Sequence, residues 1–205
     1  MVCIACVARL EWPLCNGCHG ALYEGPQFVL PGGILVTAAY HHRTVARRLV
    51  HRLKYGGLAV AGELLASAMM TRLPSGATVL VPVPRAVTRR VRYGIDPAAV
   101  LAAELASRTG LPVVHALQPA FWWPRHATRA GGNRRPARFS ATRTIPPGAV
   151  LVDDVVTSGA TVLAASRALR NVPYTLAATS PGIDHPEPSG LPSSGEAQRR
   201  RDPWT

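Results

Sequence analysis

Short apolar runs alternate along the chain with longer stretches in which apolar residues recur at helical spacing. The runs are rich in Val, Leu and Ala and are typical of strands buried on both faces of a sheet. They cover residues 34–40, 78–83, 112–117, 149–152 and 174–180. The helical pattern covers residues 44–54, 59–72 and 97–108 and begins again at residue 162. Strands that alternate with helices predict an α/β fold, with a parallel sheet wrapped by helices.

One of these strands is followed by two acids and a small turn. Residues 149–152 are apolar, and Asp153 and Asp154 follow directly. Two more apolar residues and a turn then precede the next helix. The turn consists of Thr157, Ser158, Gly159, Ala160 and Thr161. Turn amides and a helix N-terminus favour an anion, and glycine lets the backbone approach a ligand closely. Acids there would repel a phosphate, so we interpret them as acceptors of hydrogen bonds from sugar hydroxyls. The segment therefore predicts a sugar-phosphate site at the carboxyl edge of the sheet.

Two simpler explanations of this segment stay open. One is an acidic strand end of the receiver type, and the other is a purely structural strand, turn and helix. A nucleoside-triphosphate P-loop is excluded, because the chain contains no G-x-x-x-x-G-K-[ST] pattern.

The charge of the chain is strongly positive. Its 205 residues carry a formal charge of +12, and arginine supplies 22 of the 23 basic side chains. Between Glu104 and Asp153 there are seven arginines and no acid. Such a field attracts phosphates, whether on a small metabolite or on nucleic acid. The sequence shows no apolar run long enough to span a bilayer and no secretory signal, so we expect no membrane insertion and a cytoplasmic protein.

All four cysteines lie near the start of the chain, in two C-x-x-C pairs. They are Cys3, Cys6, Cys15 and Cys18. In a cytoplasmic protein this spacing predicts a structural zinc site, since four thiolates leave no open coordination position for catalysis. Disulfides or free thiols are the alternatives, and His19 could replace one ligand. We place this module at residues 1–22.

Two arginine-rich segments follow predicted strands. The first, directly after residues 78–83, contains Arg85, Arg89, Arg90 and Arg92. These cations could hold an anionic ligand or form a solvated cluster. The second is an irregular insertion at residues 118–148, in which arginines accompany Phe121, Trp122 and Trp123. Such a segment can stack bases and pair with phosphates, whereas the tryptophans could instead anchor it by packing. Residues 183–205, rich in Pro, Ser, Gly and Glu, are predicted to form a disordered tail.

Residues 149–161 resemble the phosphoribosyl-diphosphate (PRPP) signature of type I phosphoribosyltransferases. That signature is four apolar residues, two acids, two apolar residues and T-[TS]-G-x-T, and every position matches. The resemblance implies that Asp153 and Asp154 hold the 2′- and 3′-hydroxyls of the ribose and orient it for catalysis. It also implies that residues 157–161 cradle the 5′-phosphate.

The P-V-P sequence at residues 82–84 looks like the start of the diphosphate-binding loop of glutamine-dependent amidophosphoribosyltransferases. This implies that Val83 and Arg85 contact the diphosphate and that Mg²⁺ binds together with PRPP. In type I enzymes a mobile hood that closes over the substrate occupies the place of residues 118–148.

The order of these features is similar to that in the ComF-type competence proteins. They share the four-cysteine module, an L-K-Y-G-G segment at residues 53–57, the P-V-P loop and the PRPP signature. The resemblance implies a phosphoribosyltransferase-like domain at residues 34–180. It also implies a role in handling single-stranded DNA during natural transformation, with helicase and recombination partners.

Two positions depart from the family pattern. After its basic run the family usually has R-G-[FY]-N-Q, whereas here Asp96 replaces the amide. The usual glutamine of the hood is missing from residues 128–132. Three functions therefore stay open. The first is transfer of a phosphoribosyl group with release of diphosphate, and the second is salvage of a nucleobase. The third is nonenzymatic binding of single-stranded DNA, or scaffolding, by a protein that retains the pocket.

Overall fold

A computed structural model of the protein describes residues 2–9, 12–85, 95–119 and 138–182. Within these ranges the chain forms five helices and seven strands. The helices are α1 (Asn16–Gly20), α2 (Thr44–Gly56), α3 (Ala59–Met70), α4 (Pro97–Thr109) and α5 (Ala160–Ala168). The strands are β1 (Gln27–Leu30), β2 (Ile34–His41), β3 (Val79–Pro82), β4 (Leu117–Pro119), β5 (Phe139–Ala141), β6 (Ala149–Val155) and β7 (Tyr174–Ser180).

The central sheet of the described residues has five strands in the order β1-β2-β7-β6-β3. Strands β2, β7, β6 and β3 are parallel, and β1 pairs antiparallel with β2. The prediction of an α/β fold with a mostly parallel sheet is therefore confirmed. Residues 112–117, predicted as one strand, are divided: Val113 forms a single parallel bridge to Leu80, and β4 begins only at Leu117. The ladder stops because the backbone turns, and the N–H of Ala116 donates to the carbonyl of Val114 at 3.0 Å.

Helices cover both faces of this sheet. Val150 and Val152 of β6 belong to the apolar core that includes α2, α3 and α4, whereas Leu151 belongs to the core on the α5 side. Side chains alternate between faces along a strand. The next two residues of β6, Asp153 and Asp154, therefore lie on opposite faces of the sheet, with Asp154 on the α2 side.

The amino-terminal module packs directly on the main domain. Cys3, Ile4, Ala5 and Cys18 are buried in the same apolar cluster as the inner faces of α2 and α3. Folding of the module and packing of these helices therefore support each other.

Within the predicted insertion at 118–148, β5 pairs antiparallel with β4, the strand at its start, and residues 142–148 continue from β5 to β6. The central part of the insertion, with Phe121, Trp122 and Trp123, lies outside the described residues, as do Arg89, Arg90, Arg92 and the predicted tail at 183–205. Among the helices of the described ranges, none combines the length and the apolar content needed to cross a bilayer.

Candidate functional site

The two acids lie at the carboxyl end of β6, between β7 and β3. Each is only 8% exposed, so both side chains are buried at this edge of the sheet rather than lying on the protein surface. The Asp153 Oδ1 atom accepts a hydrogen bond from the Asp154 N–H at 2.8 Å, and the Asp154 Oδ1 atom accepts one from the Val155 N–H at 2.9 Å. The backbone therefore fixes one oxygen of each carboxyl group and leaves the other for a second partner.

Cations from two other elements converge on Asp154. The Lys54 Nζ atom, in the last turn of α2, is 2.7 Å from Asp154 Oδ2, and the Arg85 Nη2 atom, after β3, is 4.0 Å from the same oxygen. Oδ2 is buried and has no hydrogen bond of suitable geometry within the described residues. It is therefore held by charge, and its capacity to accept a hydrogen bond is not used up. A sugar hydroxyl would share this oxygen with Lys54. The sequence did not predict the contact between Lys54 and Asp154.

Asp153 has a different environment. It faces away from α2, and no ion pair joins it to a basic side chain in the described ranges. Burial, followed by the neighbouring charge of Asp154, raises the pKa of Asp153 well above its ordinary value.

Arg85 is fixed from several sides. Its backbone N–H donates to Asp96 Oδ2 at 3.3 Å, and its guanidinium lies 6.0 Å from the centre of the Tyr55 ring, at the outer limit of a cation–π contact. Burial raises the pKa of Asp96. The acid at the position where the family resemblance expects an amide thus anchors the start of the arginine-rich segment.

Val83, which lies two residues before Arg85, contributes to the site only through packing. Its side chain is buried, and its N–H donates to the carbonyl of Val152 at 2.9 Å. Its amide is therefore already engaged in the sheet.

The turn after β6 presents backbone amides without internal partners. Gly159 adopts φ 72°, and α5 begins at the next residue. Within the part of the chain that the structure describes, the N–H groups of residues 157–162 make no hydrogen bond, and the first amide of α5 that does is Leu163, which donates to the Gly159 carbonyl at 2.8 Å. Thr157 and Ser158 are exposed beside them. Unpaired donors at the N-terminus of a nine-residue helix suit an anion such as phosphate.

Gly159 is required by packing as well as by conformation. A methyl group at this position would lie 2.4 Å from Leu30 Cδ2, which is closer than any van der Waals contact. A side chain is also disfavoured at this positive φ. Leu30 of the β1–β2 hairpin therefore supports the turn from behind.

Sequence reasoning missed His42 and Thr179 as neighbours of the acids. The His42 Nδ1 atom is 2.8 Å from Thr179 Oγ1, and that hydroxyl donates to the Asp154 carbonyl at 3.3 Å. Since the hydroxyl has one proton, His42 donates through Nδ1–H. Burial, followed by the charges of Lys54 and Arg47, lowers the pKa of His42. A single-sequence pattern offers no signal for this contact, whereas Lys54 stood out as the only lysine of the chain.

The four cysteines come together as a candidate metal centre. The Sγ atoms of Cys3, Cys6, Cys15 and Cys18 lie within 4.8 Å of one another, and all four are free thiols. The Cys6 and Cys15 Sγ atoms are 3.6 Å apart. This agrees with the separation of about 3.8 Å between thiolates in a tetrahedral site with Zn–S bonds near 2.3 Å. His19 is not part of the cluster.

The local structure also prepares these thiols for a cation. Cys15 caps α1, and its Sγ atom accepts a hydrogen bond from the Cys18 N–H at 3.4 Å. Burial raises the pKa of Cys3, but hydrogen bonds from the amides of Cys15, Cys6 and Ala5 outweigh it and lower the pKa to about 6. Burial and the neighbouring thiols raise the pKa of Cys18, and this is the cost that a bound Zn²⁺ would offset.

No protein-family model matches the chain, and no curated protein matches it. The assignment of the site therefore depends on its own geometry.

Proposed function

We propose first that the edge formed by β6, the turn at 157–161, Lys54 and Arg85 binds a phosphorylated sugar. The observation that carries this proposal is that the unpaired amides of the turn lie just after two acids, and these acids directly follow the apolar residues of β6. The amides and the hydroxyls of Thr157, Ser158 and Thr161 are suited to phosphate, and the acids are suited to sugar hydroxyls. Unpaired amides occur at the start of every α-helix, so it is their closeness to the two acids that favours a ligand site over a purely structural turn.

More specifically, we propose that the ligand is PRPP and that the chain is a phosphoribosyltransferase-like protein of the ComF type. In this proposal residues 157–161 bind the 5′-phosphate, Asp153 and Asp154 bind the ribose hydroxyls, and Arg85 lies on the diphosphate side. Mg²⁺ bound with PRPP would neutralise charge on the diphosphate. Departure of that group would leave an oxocarbenium-like centre at C1, while Asp153 and Asp154 orient the ribose; stabilising this separation of charge is the main catalytic requirement of the proposal.

The four-cysteine cluster is proposed to hold Zn²⁺ in a structural role. Its packing against α2 and α3 supports this, because metal binding would then stabilise the helix that carries Lys54. Four thiolates leave no coordination position for a substrate.

A nonenzymatic role with single-stranded DNA is the second candidate. One observation favours it: Arg47, Arg48 and Arg52 are exposed on α2, which has no acid, and the helix ends at the pocket. Association with DNA, and with the helicase and recombination proteins of natural transformation, is proposed on this charge and on the ComF resemblance. A nucleobase-salvage activity has no specific observation in its favour, since the acceptor would contact the hood.

Calorimetric titration of PRPP with Mg²⁺ tests the first proposal. Wild type should release or absorb heat with saturation, and the double variant Asp153→Asn/Asp154→Asn should not, while its zinc content stays that of wild type. Arg52→Gln is a matched control, because it removes an exposed cation of α2 away from the acids. Absence of binding to wild type would contradict the proposal.

Titration with single-stranded DNA separates the second candidate. A nonenzymatic DNA-binding protein should bind the oligonucleotide with an affinity that falls steeply with salt and survives the double Asp→Asn change. In that case Arg52→Gln, rather than the acid variant, should weaken binding.

A further inference from the structure

The two acids at the end of β6 are adjacent in sequence but unequal in their partners. Asp154 Oδ2 has Lys54 at 2.7 Å and Arg85 at 4.0 Å. Asp153 is on the other face of the strand, is buried, and has no cation in ion-pair contact within the described residues. Its Oδ1 atom accepts a hydrogen bond from the Asp154 N–H at 2.8 Å.

Two negative charges on adjacent, buried side chains are unfavourable together. Removing a carboxylate from water is unfavourable unless a cation or hydrogen bonds compensate it, and a neighbouring carboxylate adds to the cost. Two interacting carboxyl groups lose their protons in two separate steps, and a neighbouring cation favours the ionised form of the member that it contacts. Here both cations face the same member.

We infer that the acidic pair carries one negative charge at neutral pH, that Lys54 and Arg85 hold this charge on Asp154, and that Asp153 is a neutral carboxylic acid. Asp154 then accepts a hydrogen bond from one sugar hydroxyl, and the protonated Asp153 oxygen donates one to a sugar oxygen. Lys54 is accordingly a positioning residue, which acts through the charge state of the pair. Only the identity of the ligand depends on the proposed function.

The other groups around the pair are consistent with this distribution. His42, after β2, is turned toward Thr179 and is disfavoured as a cation by burial, so it adds no second positive charge. Asp96, before α4, accepts the Arg85 amide and adds negative charge on the Arg85 side. Burial and the charge of Asp154 raise the pKa of Asp153, in the direction that the inference requires.

Carbon-13 NMR of carboxyl-labelled aspartate tests the inference without any ligand. The chain has five aspartates, so five resonances can be assigned with single Asp→Asn variants. At pH 7 the Asp153 resonance should have the shift of a carboxylic acid, and the Asp154 resonance should have that of a carboxylate. A carboxylate shift for Asp153 between about pH 5 and 8 would overturn the inference.

The role of Lys54 is tested in the same experiment. Lys54→Met should move the Asp154 resonance toward the shift of an acid, because the proton is then shared by both members of the pair. Arg52→Met, which removes an exposed cation from the same helix, should leave both resonances unchanged. An unchanged Asp154 resonance in Lys54→Met would show that Lys54 does not set the charge state.

Binding of PRPP with Mg²⁺ then distinguishes the two acids. Asparagine is the isostere of a neutral acid but does not replace a charged carboxylate. Asp154→Asn should therefore weaken binding by about tenfold or more, as expected for a hydrogen bond to a charged group, and Asp153→Asn should weaken it clearly less. Equal losses in both variants would overturn the division of roles. If wild type does not bind PRPP, the proposed function fails, and the NMR result still decides the charge state.

Discussion

Gly159 offers the sharpest test of how the turn after β6 is built. Its φ of 72° is a conformation that costs a non-glycine residue about 1–2 kcal/mol. In Gly159→Ala the new methyl group would also meet three atoms of Leu30, at 2.4, 2.6 and 3.1 Å. Leu30 is only 2% exposed, so it can move only by disturbing the core, at a cost of about 1–3 kcal/mol.

The two costs together predict that Gly159→Ala lowers the free energy of unfolding by about 2–5 kcal/mol. For a domain of this size this corresponds to a fall in Tm of about 4–20 °C. Circular dichroism during thermal unfolding and urea denaturation would measure the change. Gly76→Ala is the matched control, because a methyl group there would meet no atom within 4 Å and its φ is not left-handed.

A double-mutant cycle separates the two costs. Leu30→Ala removes all three atoms that the new methyl group would meet. The loss of unfolding free energy in the double variant should therefore be about 1–3 kcal/mol smaller than the sum of the losses in the two single variants. The conformational cost should remain in the double variant. If Gly159→Ala and Gly76→Ala unfold with the same free energy, within about 0.5 kcal/mol, the reasoning is refuted.

Two further predictions concern the four-cysteine cluster and His42. A chelator, or Cys18→Ser, should lower the zinc content and Tm together, because Cys18 belongs to the main core; a loss of zinc at constant Tm would contradict this. The pKa of His42 is lowered in the fold, so the unfolded state binds more protons around pH 6.5, and stability should rise with pH from about 5 to 7. His42→Gln should make that rise smaller in urea denaturation, and an equal rise in both proteins would exclude this role for His42.

The periodicity of the sequence was sufficient to predict the parallel class of the sheet and all the described helices except the short α1. Residues 149–152 of β6 are all buried, because an apolar run with no polar side is stable only inside a sheet covered on both faces. The edge strand was harder to predict. Residues 112–117 have the same apolar character, but a turn of the backbone at residue 116, which no pattern marked, ends the pairing with β3.

Local spacing in the chain was enough to predict which chemical groups are neighbours. It joined Asp153 and Asp154 to the turn at 157–161 and arranged the cysteines in two pairs, since these contacts are local in the chain. The surroundings of these groups depend on the folded chain. The tertiary structure brought Lys54 to Asp154, His42 to Thr179 and Leu30 to Gly159 through the order of strands in the sheet, and such non-local contacts leave no period or spacing in a single sequence.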